Sequence, residues 1–143
     1  MKLYIAYGSN TNHEFMASRC LDAEFISKTV IRNYRLEFHG IENNSYLTIV
    51  PDDSSEVEAA VWMISETDEA ILDNFEGFPK LYRKEMLDIS LNGTPKKALV
   101  YIMNEGAKKA IPSESYFNCV LDGYLDSGIN TEQLFEAMID AKI

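Results

Sequence analysis

The order in which strand-like and helix-like patterns follow one another restricts the fold of this chain more than any other feature. Apolar runs of strand length dominate the sequence up to residue 64, and a short helical stretch over 13–20 interrupts them. The strand candidates are 2–7, 24–31, 34–38, 46–50 and 57–64. The polar cluster at 51–55 is interpreted as the turn that closes one of them.

The middle of the chain carries clear signals for where elements begin and end. Ser65 to Asp68 has the form of a helix N-terminus, with a hydroxyl cap and acidic residues that favour the positive end of the helix dipole. Gly77 and Pro79 are expected to end that helix. Asn92-Gly93 then follows, a dipeptide typical of a tight hairpin. The strands that flank it are predicted at 82–91 and 97–103.

Two helices are predicted in the last part of the chain. Pro112-Ser113 introduces one that extends to about Ser127, and the segment from Asn130 to Gln133 caps the other. Strands, a helix, a hairpin and then helices predict an α+β fold, with a mixed or antiparallel sheet that curls into a small β-barrel with flanking helices. Because the sequence has no repeat or linker, we expect residues 1–143 to form a single domain.

The charge of the chain argues against two classes of partner. There are 13 Lys and Arg residues against 23 Asp and Glu residues, a formal charge of −10. Basic residues cluster only as doublets, so neither nucleic acid nor an anionic membrane is an expected partner. No apolar run approaches the ~18 residues of a membrane span, and no secretory pattern is present, so we expect a cytoplasmic protein. The sequence leaves the oligomeric state open.

The familiar motifs of nucleotide, serine-nucleophile and metal chemistry do not occur in this sequence. It contains no phosphate-binding loop, no dinucleotide-binding glycine run and no nucleophile elbow around Ser9. Its cysteines and histidines do not have the spacing of metal ligands. We therefore expect no metal and no cofactor.

Two short segments remain as candidates for a site, and Tyr7-Gly8-Ser9-Asn10 is the first. A strand stops there in glycine and small polar residues just before a helix. Gly8 allows a ligand to approach the backbone closely, and successive N–H groups at such a turn can bind an anion. A plain turn, with Asn10 or Asn12 as the helix N-cap, explains the same residues.

Glu76 is the second candidate. It lies where the apolar face of the predicted helix reaches a Gly/Pro turn, between Phe75 and Phe78, and so can occupy a partly dry cleft. Poor solvation there would raise the pKa of its carboxyl toward the range of a proton shuttle. The alternative is an ordinary solvated glutamate at a helix end.

Together with three further motifs, these segments resemble the gamma-glutamylcyclotransferase-like family. The motifs are Tyr7-Gly8-Ser9-Asn10, Leu72-Asp73-x-x-Glu76-Gly77, Tyr82-Arg83, Pro112-Ser113-x-x-Tyr116 and the strand Tyr34-Arg35-Leu36-x-Phe38. The resemblance extends from residue 4 to about residue 128. Thr11 departs from it, since the family more often has an apolar residue there, and this is expected to affect helix packing rather than the backbone donors.

The resemblance implies a small mixed barrel and a cofactor-independent enzyme that converts a gamma-glutamyl amide into 5-oxoproline and a free amine or amino acid. By the same resemblance, Glu76 is the general acid and base. Substrate oxygens, either of the α-carboxylate or of the developing oxyanion, would be held by the backbone N–H groups of Gly8, Ser9 and Asn10. The pocket walls and hydroxyl donors would be Tyr7, Tyr82 and Tyr116, each of which could instead serve only in packing.

Two other functions remain open at this point. A metabolite-binding or interaction module of the same fold would bind without turnover, although it has no evident use for Glu76. A hydrolase would release free glutamate instead of 5-oxoproline. The sequence does not identify the leaving group, whose recognition we expect from loops at 41–45, 51–55 and beyond Met103. For an anionic substrate, Arg83 is expected to help the backbone amides offset the negative charge.

Overall fold

In the computed structural model, which describes residues 1–142, the chain forms one curled sheet of six strands and four α-helices. The strands are β1 (Lys2–Ala6), β2 (Glu24–Ile41), β3 (Asn44–Ile64), β4 (Tyr82–Leu91), β5 (Thr94–Met103) and β6 (Lys108–Lys109). The helices are α1 (His13–Arg19), α2 (Glu66–Phe75), α3 (Glu114–Ser127) and α4 (Glu132–Ala141), and Ser9–Thr11 is a short 3-10 helix. The predicted α+β class is confirmed. None of these helices of residues 1–142 has the length and apolar composition needed to cross a membrane.

The sheet is mixed and bends back on itself. Its strand order is β4-β5-β1-β3-β2-β6, and β1 runs parallel to β5 through the pair Tyr4 and Leu99 but antiparallel to β3. Curling brings the distant strands β2 and β4 together, where the Thr29 hydroxyl donates to the Ser90 carbonyl at 2.9 Å. The prediction of a curled, mixed sheet is therefore confirmed, and β1 lies near its centre.

Two long strands replace the four short ones predicted between residues 24 and 64. A bulge bends both of them, because Asn33 has a φ of 68° and the pairing shifts from Arg32 with Glu56 to Tyr34 with Pro51. The predicted turn at 51–55 is wrong, since this segment stays within β3. The Asp52 carboxylate does accept a hydrogen bond from the Ser54 N–H at 3.0 Å, a bond typical of turns. The polar cluster at 51–55 thus marks a bend within β3 rather than the end of a strand.

Helix α2 begins and ends where its local signals predict. The Ser65 hydroxyl accepts from the Asp68 N–H and the Asp68 carboxylate accepts from the Ser65 N–H, both at 3.1 Å, which is a complete capping box. The helix ends at Phe75, and Gly77 follows with a φ of 66°. Leu72 is fully buried in the core, so the last turn of α2 is held against the sheet.

Helix α3 packs directly on the turn that follows β1. The Tyr124 hydroxyl donates to the Tyr7 carbonyl at 2.7 Å, and the Ser127 hydroxyl donates to the Thr11 carbonyl at 2.8 Å. Thr11 is fully buried, and its own hydroxyl donates to the Gly8 carbonyl at 2.7 Å. The hydroxyl of Thr11, unlike the apolar residue of the family pattern, therefore takes part in the turn, while Gly123 provides the space that lets the helix approach it.

Candidate active site

A cavity of about 280 Å³ lies beside the C-terminal end of β1. Its lining includes the expected catalytic residue and the six expected pocket residues, namely Glu76, Tyr7, Gly8, Ser9, Asn10, Tyr82 and Tyr116. The volume is close to the lower end of the ~300–1,000 Å³ typical of ligand pockets, which suits a small molecule. The fold thus brings together residues that are far apart in the sequence.

The 3-10 turn after β1 leaves a row of backbone donors at the cavity. The Gly8 and Ser9 carbonyls accept from the N–H groups of Thr11 and Asn12, both at 3.1 Å. By contrast, the N–H groups of Gly8, Ser9 and Asn10 find no acceptor within residues 1–142. Asn12 caps α1, since its side-chain oxygen accepts from the Phe15 N–H at 3.1 Å, so the N-cap role does not fall to Asn10.

Glu76 is the C-cap of α2, and neighbouring contacts fix its position. One turn earlier in the helix, the Asp73 carboxylate accepts from the Tyr101 hydroxyl at 2.6 Å and from the Lys84 ammonium at 2.8 Å. These bonds attach the end of α2 to β4 and β5. Glu76 itself is half-buried, and no group of residues 1–142 donates a hydrogen bond to its carboxylate.

The environment of Glu76 favours its neutral form more than water does. Burial raises the pKa of this carboxyl to about 7, although the positive charge of Arg19 acts in the opposite direction. A carboxyl with this pKa exchanges its proton readily near neutral pH. The same cavity therefore holds a carboxyl of raised pKa and a row of unpaired backbone donors.

Arg19 is a cavity residue that the sequence analysis missed. Its Nη1 donates to the Asn10 side-chain oxygen at 2.7 Å, and its guanidinium carbon lies 3.5 Å from the centre of the Phe75 ring and 4.1 Å from that of Phe15. The position four residues after Phe15 on one helix face was a usable signal for the second of these contacts. No sequence signal predicts the contact with Phe75, because Arg19 and Phe75 lie in different helices.

Arg83, which we expected to offset an anionic substrate, does not line the cavity. Its Nε donates to Glu85 at 2.6 Å and its Nη1 donates to the Met103 carbonyl at 3.0 Å. These bonds hold Arg83 at the strands β4 and β5. Among residues 1–142, the cation that lines this cavity is Arg19 and not Arg83.

The tyrosine hydroxyls differ in what they can offer to a ligand. The Tyr7 hydroxyl donates to the Tyr101 carbonyl, and the Tyr82 hydroxyl donates to the Leu47 carbonyl at 2.7 Å. The Tyr116 hydroxyl instead accepts from the Leu47 N–H at 3.1 Å, and its own proton has no acceptor within residues 1–142. Burial raises the pKa of Tyr116 well above its ordinary value, so it keeps that proton. Of the three expected hydroxyl donors, only Tyr116 is therefore free to donate.

The outer part of the cavity is aromatic and aliphatic. Phe15, Tyr46, Phe75 and Leu81 line it, and Phe75 leaves 56% of its surface exposed. The segments 41–45 and 51–55 do not contribute to this lining, whereas Tyr116, which lies beyond Met103, does. The lining therefore gives no support to selection of the leaving group by the first two segments.

The histidines have local structural partners. The His13 ring lies 3.1 Å from the Ser127 hydroxyl through Nε2, and the His39 ring lies 2.7 Å from Glu37. Within residues 1–142, no group of three or more His, Cys, Asp or Glu side chains is placed to hold a metal ion.

Comparison with known proteins places this arrangement in a family. Solved structures with the same fold include one described as a gamma-glutamyl cyclotransferase, which is 23% identical with a TM-score of 0.84, over 95% of this chain and 85% of that one. An uncharacterized protein from Homo sapiens matches with the same values. YkqA from Bacillus subtilis is 19% identical with a TM-score of 0.83, over 99% of this chain and 54% of that one.

A search of curated proteins finds no significant match. The sequence model described as "Gamma-glutamyl cyclotransferase, AIG2-like" matches residues 4–118, which is most of the chain. This match includes the turn after β1, Glu76, Tyr82 and Tyr116. The chain belongs to the gamma-glutamyl cyclotransferase, AIG2-like family.

Proposed function

We propose that this protein is a cofactor-independent gamma-glutamyl cyclotransferase that converts a gamma-glutamyl amide into 5-oxoproline and a free amine. The observation that carries the proposal is the placement of Glu76 in one cavity with the unpaired N–H groups of Gly8, Ser9 and Asn10. Family membership supports the general class of reaction. The role of each residue is our inference from the geometry.

The reaction needs little from the protein besides orientation and proton transfer. The α-amino nitrogen of the substrate attacks its own γ-carbonyl carbon, so that a new C–N bond closes a five-membered ring. Holding both groups in a near-attack geometry replaces an external nucleophile. A cavity of about 280 Å³ would limit the shapes that a flexible gamma-glutamyl chain can adopt.

Glu76 would carry the proton in both steps. As a carboxylate it accepts a proton from the attacking nitrogen, and as a carboxylic acid it then protonates the leaving nitrogen while the old C–N bond breaks. The carbonyl oxygen gains negative charge in between, and the amides of the 8–10 turn are suited to stabilise it. Tyr116, whose hydroxyl proton is free, lies beside Gly8, since a Cβ built at Gly8 would be 3.2 Å from the Tyr116 hydroxyl oxygen.

Tyr7 and Tyr82 would contribute to the site by hydrogen bonds from their hydroxyls to backbone carbonyls. Their hydroxyls donate to the carbonyls of Tyr101 and Leu47, which fixes the sheet around the cavity. Each ring then forms part of the wall. We therefore propose that these two tyrosines shape the pocket and that they donate no proton to the substrate.

A panel of gamma-glutamyl compounds tests the proposal and the choice of leaving group. We expect 5-oxoproline from gamma-glutamyl derivatives of uncharged aliphatic or aromatic amines, because the outer cavity is apolar. Glutathione and gamma-glutamyl amino acids carry two carboxylates, whereas the cavity lining offers Arg19 as its cation. The kcat/KM for these compounds should therefore be lower by a factor of at least roughly 10.

Three results of the same panel would contradict the proposal or its details. Free glutamate instead of 5-oxoproline would indicate hydrolysis. Binding of several compounds without any product would indicate a binding module. Equal kcat/KM values for glutathione and for an uncharged amine derivative would leave the proposed reaction intact. They would overturn the proposed selection of the leaving group by the apolar outer part of the cavity.

The raised pKa of Glu76 predicts the pH dependence of the reaction. Because the base form is needed first, kcat/KM should rise with pH through a group of pKa about 7 and level off above it. A limb near pH 4.5, the ordinary value of a glutamate, would contradict the proposed environment of this carboxyl. Initial rates of 5-oxoproline release between pH 5 and pH 9 provide the measurement.

The free energy of unfolding should respond to the same titration of Glu76, but it should fall where kcat/KM rises with pH. Between about pH 4.5 and pH 7 the folded protein holds the Glu76 proton that the unfolded chain releases, so the free energy of unfolding falls as pH rises. A Glu76→Gln variant lacks this contribution. Its stability relative to the unchanged protein should grow across that interval and stay constant above pH 7, as urea denaturation at several pH values would reveal.

A further inference from the structure

Arg19 and Glu76 are the two oppositely charged residues of the cavity lining, and they do not pair with each other. Both line the cavity, yet no carboxylate of residues 1–142 lies within 4.0 Å of the Arg19 guanidinium. The opposite charges are near enough that each affects the pKa of the other. The cavity therefore holds a separated positive and negative group with space between them.

The guanidinium of Arg19 is fixed in place before any ligand arrives. It lies over the rings of Phe15 and Phe75 at 4.1 and 3.5 Å, and Nη1 donates to the Asn10 side-chain oxygen at 2.7 Å. Only 3% of the surface of Asn10 is exposed, and its Nδ2 donates to the Tyr4 hydroxyl at 3.0 Å. A guanidinium has five N–H donors. One is used by Asn10, and no other hydrogen bond from Arg19 to residues 1–142 is found.

A bound carboxylate would satisfy these donors. Removal from water lowers the pKa of Arg19, as expected for a guanidinium that has lost hydration without gaining an ion pair. A guanidinium binds a carboxylate through two parallel N–H···O bonds, a geometry that also fixes the orientation of the ligand. The rigid support from two rings and Asn10 would make this binding selective.

We propose that Arg19 binds the α-carboxylate of the gamma-glutamyl group, and this inference rests on the function proposed above. The α-carboxylate and the α-amino group of the substrate share one carbon atom. Binding the former at Arg19 would place the latter on the side of the cavity where Glu76 can accept its proton. The amides of Gly8, Ser9 and Asn10 are then left for the γ-carbonyl oxygen. The α-carboxylate, the α-amino group and the γ-carbonyl oxygen of the substrate would thus each have a separate partner in the cavity.

A pair of matched substrates tests this assignment. One is a gamma-glutamyl amide of an uncharged amine with a free α-carboxylate, and the other is the same compound with an α-carboxamide. The unchanged protein should prefer the carboxylate by roughly 10- to 100-fold in kcat/KM, the usual range for hydrogen bonds to a charged group. An Arg19→Gln variant should lose this preference because its kcat/KM for the carboxylate compound falls, while its kcat/KM for the carboxamide changes little.

Two variants serve as controls for the effect of Arg19→Gln. Arg83→Gln removes a guanidinium outside the cavity and should keep the full preference. Arg19→Lys keeps the charge but loses the two-pronged geometry, so it should show an intermediate preference, and it serves as the test variant if Arg19→Gln does not fold.

Several outcomes would overturn the assignment. If Arg19→Gln reduces activity on both compounds equally, Arg19 only supports the wall of the cavity. If the unchanged protein does not distinguish the compounds, the α-carboxylate is bound elsewhere. If the unchanged protein forms no 5-oxoproline at all, the proposed function fails, and calorimetric binding of the two compounds decides the role of Arg19. Tighter binding of the carboxylate that Arg19→Gln abolishes would support it, and equal binding would overturn it.

Discussion

Replacing Glu76 with Gln should reduce 5-oxoproline release by at least about 100-fold, because general acid–base catalysis typically contributes 10²- to 10⁴-fold. Glutamine keeps the size and the hydrogen-bonding shape of the side chain but cannot accept and return a proton. No group of residues 1–142 donates to the Glu76 carboxylate, so no protein hydrogen bond is lost with the change. The effect should therefore appear in kcat more than in KM.

Glu66→Gln is the matched control, since it makes the same change in the same helix at an exposed position away from the cavity. It should keep full activity. Calorimetry should show that Glu76→Gln still binds a gamma-glutamyl amide, which separates loss of chemistry from loss of binding. Turnover by Glu76→Gln within a few fold of the unchanged protein would mean that another group carries the proton, and our mechanism would be wrong.

The parts of the fold that the sequence predicts well are those decided within a few residues. The capping box at Ser65 and Asp68 uses side chains three positions apart. The hairpin turn between β4 and β5 uses the positive φ of Asn92 and Gly93, 52° and 81°, which these two residues adopt easily. Such signals keep their meaning in any tertiary context.

The parts that the sequence does not predict depend on distant partners. The bulge at Asn33 exists because β2 and β3 continue to pair on both sides of it, and local composition cannot distinguish this from two separate hairpins. The strand Lys108–Lys109 forms only because His39 and Gly40 offer an edge for it. A polar pair of lysines has no strand signal of its own.

The candidate site shows the same division. Glu76 and the 8–10 turn were identified from local patterns and from a family resemblance, and the central position of β1 in the sheet brings them to one cavity. Arg19 could not be found in this way, because its role depends on Phe75 from another helix and on a buried Asn10. The free proton of Tyr116 likewise follows from the N–H of Leu47 in β3.

Substitution of Gly123 by Ala should destabilise the protein, although Ala is a better helix former than Gly by about 1 kcal/mol. A Cβ at this position would lie 2.2 Å from the Thr11 hydroxyl oxygen, 2.6 Å from the Asn12 nitrogen and 2.8 Å from the Thr11 carbonyl carbon. Overpacking of this kind costs typically 1–3 kcal/mol. Because two of these contacts are with backbone atoms, we expect a cost near the upper end of that range and, after the gain in helix propensity, a net loss of about 2 kcal/mol in the free energy of unfolding, measured by urea denaturation.

The same substitution should also reduce 5-oxoproline release, because α3 can make room only by shifting the turn that carries the N–H groups of residues 8–10. Asn118→Ala is the matched control: it lies on the exposed side of α3, raises helix propensity as well, and should leave both stability and activity unchanged or slightly improved. Adding Thr11→Ala to Gly123→Ala should restore only part of the loss, since two of the three close atoms belong to the backbone. If Gly123→Ala is as stable and active as the unchanged protein, helix propensity outweighs the contact, and α3 does not fix the turn at the candidate site.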